Sequence, residues 1–312
     1  MVNPIEIRNL SKSFGNIQAL DGLDLIVAPG EVRGFLGPNG SGKSTTIRIL
    51  LGLLRADSGD VRLFDGDPWD DAVSLHKRIA YVPGDVTLWP NLTGGEAIDY
   101  LNRLHGVADL GRREELLERF ELDPTRKAST YSKGNRQKVA LVAALSVDAD
   151  LYILDEPTSG LDPLMEAVFV NYIQELKAQG RSVLLSSHIL SEVEKVCDTV
   201  TIIRAGSSVE SGTLSELRHL TRSRVIVTIA GDPGHVTETD GFSEPTLELN
   251  DGLTTATFDV EDHAIGSLLE HLATLDVRNI TITPPSLEDL FMRHYSEDHA
   301  QNLAHEVESG RK

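Results

Sequence analysis

Cysteine is almost absent: Cys197 is the one cysteine in 312 residues. A lone cysteine forms no internal disulfide, so it reads as a small buried hydrophobe in a chain suited to a reducing compartment. Also missing is any apolar run of the roughly 18 residues that a spanning helix needs; stretches such as VALVAALSV and IRILLGLL are too short. The start, MVNPIEIRNL, has neither a basic leader nor an apolar core with a small-residue cleavage site. The chain is therefore expected in the cytoplasm, reaching a membrane only through a partner. Positive charge is scarce, with 29 Lys and Arg against 48 Asp and Glu, a net charge of -19 and a pI near 4.9. Proteins that hold phosphate backbones need clustered Lys and Arg to release counterions, so no nucleic-acid partner is expected.

What is present suits a globular protein. The length allows one large domain and one smaller one, and 40% apolar with 25% charged residues is enough to bury a core. Ile5 to Leu10 and Leu20 to Val27 alternate loosely, as strands of a small sheet do. GEVRGFLG reads as a strand running into a glycine-rich turn, and Thr45 to Leu54 follows with Ile47, Leu50, Leu51 and Leu54 at helical spacing. LYILDEP, SVLLSSH and TVTIIRAG are apolar runs separated by helical stretches such as Pro163 to Gln179. Strands alternating with helices predict an α/β fold with a largely parallel sheet.

Residues of about 69–145 read as an inserted helical subdomain, with Ala97, Tyr100, Leu101 and Leu104 on one face. After Leu217 the pattern changes: an Asn250-Asp251-Gly252 hairpin signal lies between alternating strands, then comes a helix with Ile265, Leu268, Leu269, Leu272 and Leu275, then the strand NITIT. Residues 218–295 are thus expected to form a small α+β domain behind a core of 1–217, with 296–312 a polar tail.

GPNGSGKS, spanning Gly37, Pro38, Asn39, Gly40, Ser41, Gly42, Lys43 and Ser44, fits G-x-x-x-x-G-K-[ST] between a strand and a helix. The glycines let backbone N–H groups close around phosphate at a helix N-terminus. Lys43 can reach the β- and γ-phosphates, Ser44 can hold Mg²⁺, and Thr45 can add a phosphate hydrogen bond. LYILDEP ends an apolar strand in two acids. Asp155 is the expected Mg²⁺ ligand, and Glu156 the residue that polarises the attacking water.

With both motifs present, the chain resembles the ABC transporter ATPases. YSKGNRQK is similar to that family's signature loop, with Ser132 and Gly134 at its serine and second glycine. SGLD, Ser159 to Asp162, resembles the D-loop, His188 falls at the switch histidine, and Phe14 at the aromatic that stacks on adenine. The resemblance, over about Ile5 to Leu217, implies a P-loop NTPase fold with antiparallel β and helical subdomains. It implies ATP and Mg²⁺ as ligands, a homodimer with two ATP molecules sandwiched between phosphate loop and opposite signature loop, and a separate membrane permease. PPSLEDLFMRHY resembles the ending of ABC-2-type drug- and antibiotic-exporter ATPases, implying an ABC-2 permease on the inner membrane face and export. An importer ATPase and a soluble ABC ATPase of translation or repair are the alternatives. The sequence departs from the family at Lys133 and Asn135 in the signature loop, and at Gly84, where the family has a Gln that reaches Mg²⁺ and water.

Overall fold

The computed structural model describes residues 2–106, 109–219, 222–230, 243, 245–250 and 252–283. The chain divides into two compact units between Thr213 and Leu214.

The first unit opens with β1 (Ile5–Phe14) and β2 (Ile17–Val27), an antiparallel hairpin. Ile5, Ile7 and Leu10 are buried while Arg8 is exposed, the alternation of a sheet with one solvated face. After β3 (Val32–Leu36) and α1 (Lys43–Leu50), β4 (Ser58–Leu63) adds to the other side of β1, giving the order β2-β1-β4. The helix α1 stops before the expected Leu54, because Gly52 takes a φ of 64° that ends it. Next come α2 (Ala72–His76), β5 (Ile79–Val82), α3 (Gly94–His105), α4 (Leu110–Arg119) and α5 (Lys133–Leu145). The unit is completed by β6 (Leu151–Asp155), α6 (Pro163–Ala178), β7 (Ser182–Ser187), α7 (Leu190–Val196), β8 (Thr199–Arg204) and β9 (Ser207–Thr213).

The second sheet has the order β5-β6-β7-β3-β8-β9, parallel except for β9. Every residue of β6 and β7 is buried, as continuous apolar runs between covered faces predict. One core joins the two sheets: Leu10, Leu23 and Leu25 cluster with Phe35, Ile47, Leu50, Ile153 and Leu184. The central strand β3 lies between β7 and β8 with Leu36 opposite Ser187, and Asp155 of β6 lies opposite Ser186. The carboxyl ends of β3, β6 and β7 therefore finish together, where open parallel sheets bind ligands.

The segment expected to be helical contains a strand, β5, which extends the parallel sheet through β6. Its four residues are too few to show a period of their own. Helix α3 opens with a capping box between Thr93 and Glu96. Its buried side is formed by Gly94, Ala97, Ile98 and Asn102, whereas Tyr100 and Leu104, expected on the core face, are exposed. Leu104 lines instead a groove described below, and Tyr100 packs edge-on against Trp89 at its side.

In the second unit α8 (Leu214–His219) precedes β10 (Ser223–Ala230), β11 (Thr246–Asn250), β12 (Leu253–Val260), α9 (Ile265–Leu272) and β13 (Val277–Thr283). Its antiparallel sheet has the order β11-β12-β10-β13. Asn250 pairs with Leu253 across the expected hairpin turn, with Gly252 at φ 77°. Val225, Val227 and Ile229 pack with Ala256, Phe258, Leu268 and Leu272, while Leu269 is exposed. Pro284 to Tyr295 and the tail from Ser296 lie outside the described residues. Among the described residues no helix is long and apolar enough to cross a membrane.

Candidate active site

The loop Gly37 to Gly42 leaves the end of β3 and enters α1. Its first residue is tied to the next strand, since the Gly37 N–H donates to the Ser187 carbonyl at 3.3 Å. Gly42 has φ 112°, and a Cβ there would lie 2.6 Å from Leu20 Cδ2 and 2.8 Å from the Ala19 carbonyl. Backbone angle and close approach of β2 both demand glycine. Asn39 and Gly40 are exposed at the tip, Pro38 is half-buried, and Ser41 is buried with no hydrogen-bond partner for its hydroxyl among the described residues. Lys43 is buried, and its Nζ donates to the carbonyls of Gly37 at 2.5 Å and Pro38 at 3.0 Å. The ammonium is thereby held inside the loop's curl. Burial lowers its pKa, opposed by the negative charges of Glu156 and Asp155.

The acids face this loop from β6. Ser44 Oγ donates to Asp155 Oδ2 at 3.2 Å, and Ser186 Oγ donates to Asp155 Oδ1 at 2.6 Å. Ser44 and Asp155 thus present adjacent hard oxygen donors. Magnesium usually takes one or two protein oxygens and completes its shell with phosphate and water, so the pair fits that ion. Among the described residues no cluster of three or more His, Cys, Asp or Glu could hold a metal alone.

Glu156 stands one residue past the strand with φ 46°, a left-handed backbone that costs a non-glycine residue about 1–3 kcal/mol. Its N–H donates to the Ser186 carbonyl at 2.9 Å. Its Oε1 lies 3.1 Å from His188 Nδ1, just beyond the end of β7. The Glu156 side chain keeps 26% and that of His188 44% of its surface exposed, so both remain accessible at the mouth of the loop. Thr45 is half-buried in the first turn of α1.

Two groups of expected site residues lie elsewhere. Phe14 is exposed at the end of β1, with Lys12 Nζ 5.7 Å from its ring centroid; its hairpin partner β2 is the strand packed against Gly42. Ser132 caps α5, accepting from the Asn135 N–H at 3.3 Å. Gly134 is held so close to the Gly160 carbonyl that a Cβ would sit 2.3 Å from it. Lys133 Nζ donates to Ser159 Oγ at 2.7 Å. These contacts run from the signature-like loop to residues 159–160 of the same chain rather than to its own phosphate loop.

Some contributors had no signal in the sequence. Ser186, which fixes Asp155, reads there only as one of two serines ending a strand. Tyr81 is pushed up to about 12 by burial and by the nearby Asp155. Gly84 is immediately over Asp155: a Cβ would meet the Asp155 carbonyl, Cγ and Oδ2 at 3.4, 3.5 and 3.5 Å, ordinary contacts. Its φ lies outside the left-handed region, so nothing in this backbone reserves the position for glycine. Asp85 is exposed.

The geometry has a counterpart in known proteins. Residues 20–159 match the ABC transporter family, and residues 212–295 match the C-terminal domain of DrrA1-3-like ATP-binding proteins. The daunorubicin resistance ATP-binding protein DrrA3 of Streptomyces coeruleorubidus is 32% identical over 94% of this chain and 96% of its own length. The chain belongs to the ABC transporter ATP-binding proteins. The daunorubicin/doxorubicin resistance ATP-binding protein DrrA of Streptomyces peucetius is 33% identical, covering 97% of each chain. Among solved structures, a dimeric bacterial ABC transporter cassette matches with a TM-score of 0.62 and 25% identity, over 67% of this chain and 98% of that one. The expected P-loop ABC ATPase fold is therefore present, and the chain is an ATP-binding ATPase subunit that serves a membrane transporter.

Proposed function

We propose that this ABC transporter ATPase drives an ABC-2-type permease in the export of drug-, antibiotic- or lipid-like molecules, working as a homodimer on the cytoplasmic face of the membrane. The observation that carries the export reading is the DrrA-like C-terminal domain, present in a chain aligned almost end to end with two anthracycline-resistance ATP-binding proteins. The homodimer is supported by the dimeric cassette and by the placement of Ser132 and Gly134 away from their own phosphate loop.

The roles follow from position. The N–H groups of the loop Gly37 to Ser44 and the Lys43 ammonium bind and neutralise the β- and γ-phosphates. Ser44 and Asp155 hold Mg²⁺, which when bound supplies charge stabilisation at the phosphates. Glu156 accepts the proton of the attacking water, and His188, 3.1 Å from it, orients that carboxylate and reads the γ-phosphate. Ser132 and Gly134 complete the site of the opposite copy. Phe14 stacks on adenine.

Coupling to the permease is supported by a groove of about 760 Å³ in the first unit. Leu53, Val73 and Leu104 line it beside Trp89, whose ring meets Tyr100 edge-on at 5.0 Å. These apolar side chains are exposed, the property of a partner-binding surface. Pro83 and Val86, flanking Gly84 and Asp85, line the same groove. An occupant would therefore press on the loop that passes over Asp155.

The missing side chain at Gly84 predicts slow basal hydrolysis, because nothing from this loop orders water before the permease docks. Gly84→Gln is expected to keep the melting temperature, given the ordinary contacts a Cβ would make, and to raise basal turnover several-fold, since ordering reactants lowers the barrier. Unchanged turnover in a normally stable variant, with a large loss in Asp85→Ala, would assign the role to the neighbouring acid. The export reading is tested in vesicles holding this subunit together with its cognate ABC-2-type permease. ATP should drive an anthracycline out of the compartment that contains the ATPase; inward movement dependent on a solute-binding protein would make it an importer.

A further inference from the structure

The pair Glu156 and His188 is not fixed by packing alone, since the His188 side chain is exposed and that of Glu156 only half-buried. What sets their separation is the backbone on which each sits. Behind it, on the first turn of α7, lies Glu192, a carboxylate only 9% exposed. Its Oε1 accepts from Thr158 Oγ1 at 2.6 Å, and its Oε2 accepts from Ser187 Oγ at 2.9 Å. Thr158 is two residues past Glu156, and Ser187 immediately precedes His188. One buried carboxylate thus joins the two segments that carry the pair. Ser187 Oγ in turn accepts from the Ile189 N–H at 2.9 Å, so the chain is anchored on both sides of His188. The intervening Pro157 is held from the opposite direction, its carbonyl accepting from Gln137 Nε2 at 3.0 Å.

An acid on a short surface helix is ordinarily solvated. Burying a carboxylate is costly unless it is hydrogen-bonded, and here both oxygens are used on segments of the active site. The left-handed backbone of Glu156 adds a reason for such a tie, because strained residues persist only where the surroundings over-determine them.

We propose that Glu192 is a positioning residue for hydrolysis, clamping Thr158 to Ser187 so that Glu156 and His188 stay in register. The inference rests on the roles given to that pair above. Glu192→Gln keeps the side chain's volume but removes the charge that strengthens both bonds, and its NH₂ has to donate to one hydroxyl where the carboxylate accepted, so the clamp is weakened and one of its bonds reversed.

The test measures kcat, the KM for ATP and the melting temperature of Glu192→Gln, alone and in a His188→Ala background. Turnover should fall about 10- to 100-fold in the otherwise unaltered protein, the usual cost of a small misplacement of reacting groups. KM should stay put, and the protein should remain folded well above the assay temperature even where the weakened buried bonds lower the melting temperature. In the His188→Ala background the same substitution should cost less than about twofold, because residues acting as one unit are not additive. Thr158→Val removes one arm without altering the acid and should reproduce the loss, which keeps the test open if the Gln variant folds poorly. An equal loss in both backgrounds, or a parallel fall of kcat, ATP affinity and melting temperature, would reduce Glu192 to a structural residue. Normal turnover in Glu192→Gln beside strongly slowed Glu156→Gln and His188→Ala would overturn this inference alone. Normal turnover in those two variants would overturn the pair's roles, and this inference with them.

Discussion

Glu156→Gln is expected to bind ATP as tightly as the unaltered protein while losing about 10²- to 10⁴-fold in turnover, the usual contribution of a positioned base. The amide preserves shape and can still meet His188 but has no carboxylate to take the proton of water. Lys43, Ser44 and Asp155 are untouched, so nucleotide affinity should not change. A direct binding titration beside a phosphate-release assay separates the two quantities. Hydrolysis within a fewfold of normal would remove Glu156 from the reaction.

Lys43→Ala should fail at the earlier step. The ammonium is buried, already aimed into the loop by the carbonyls of Gly37 and Pro38, and is the fixed cation of the phosphate loop. A hydrogen bond to a charged group contributes about 1.5–3 kcal/mol, so ATP affinity should fall roughly 10- to 150-fold and turnover should vanish. Burial lowers this lysine's pKa below its ordinary 10.5 in the free protein, whereas a bound polyphosphate raises it. ATP therefore binds the protonated form preferentially, and affinity should decline as pH rises through the lowered pKa of the free protein. Labelled-ATP titrations of wild type and Lys43→Ala across alkaline pH check both statements: the slope should be present in the first and absent in the second. Equal affinity at neutral pH would place Lys43 outside the phosphate site.

The chemistry of this protein is written locally, and those parts could be read from the sequence. Gly37 to Ser44 is a single strand-loop-helix whose pattern states its own geometry, and Asp155 and Glu156 end an apolar strand where charge is otherwise costly. The hairpin at Asn250 to Leu253 was legible for the same reason, being set by its own turn residues. What escaped depends on residues far apart in the chain. Strand β5 is too short to show a period and exists because β6 gives it a partner. Tyr100 and Leu104 look like core residues at helical spacing, yet the buried side of α3 is taken by Ala97, Ile98 and Asn102, leaving both exposed, Leu104 on the groove and Tyr100 against Trp89. Glu192 and Ser186 are ordinary polar residues in sequence; only the meeting of β6, β7 and α7 makes one a buried clamp and the other the partner of Asp155. Gly84 stood out as a departure from the family, but its place directly against Asp155, where a Cβ would make only ordinary contacts, became visible only in the fold.

In the proposed homodimer each hydrolytic site is built from two copies of this chain, with the phosphate loop of one facing Ser132 and Gly134 of the other. Mixing two inactive variants separates a shared site from a self-contained one. Lys43→Ala spoils a phosphate loop and leaves the signature-like loop intact; Ser132→Glu puts a carboxylate on the exposed cap of α5, where it would oppose the phosphates of the facing copy, and leaves the phosphate loop intact. Each alone should hydrolyse almost no ATP. Mixed, they form heterodimers in which one site has both parts unaltered, and phosphate release should reappear in proportion to the heterodimer. Full turnover by Ser132→Glu alone would show the site to be complete within a single chain and would rule out the shared site.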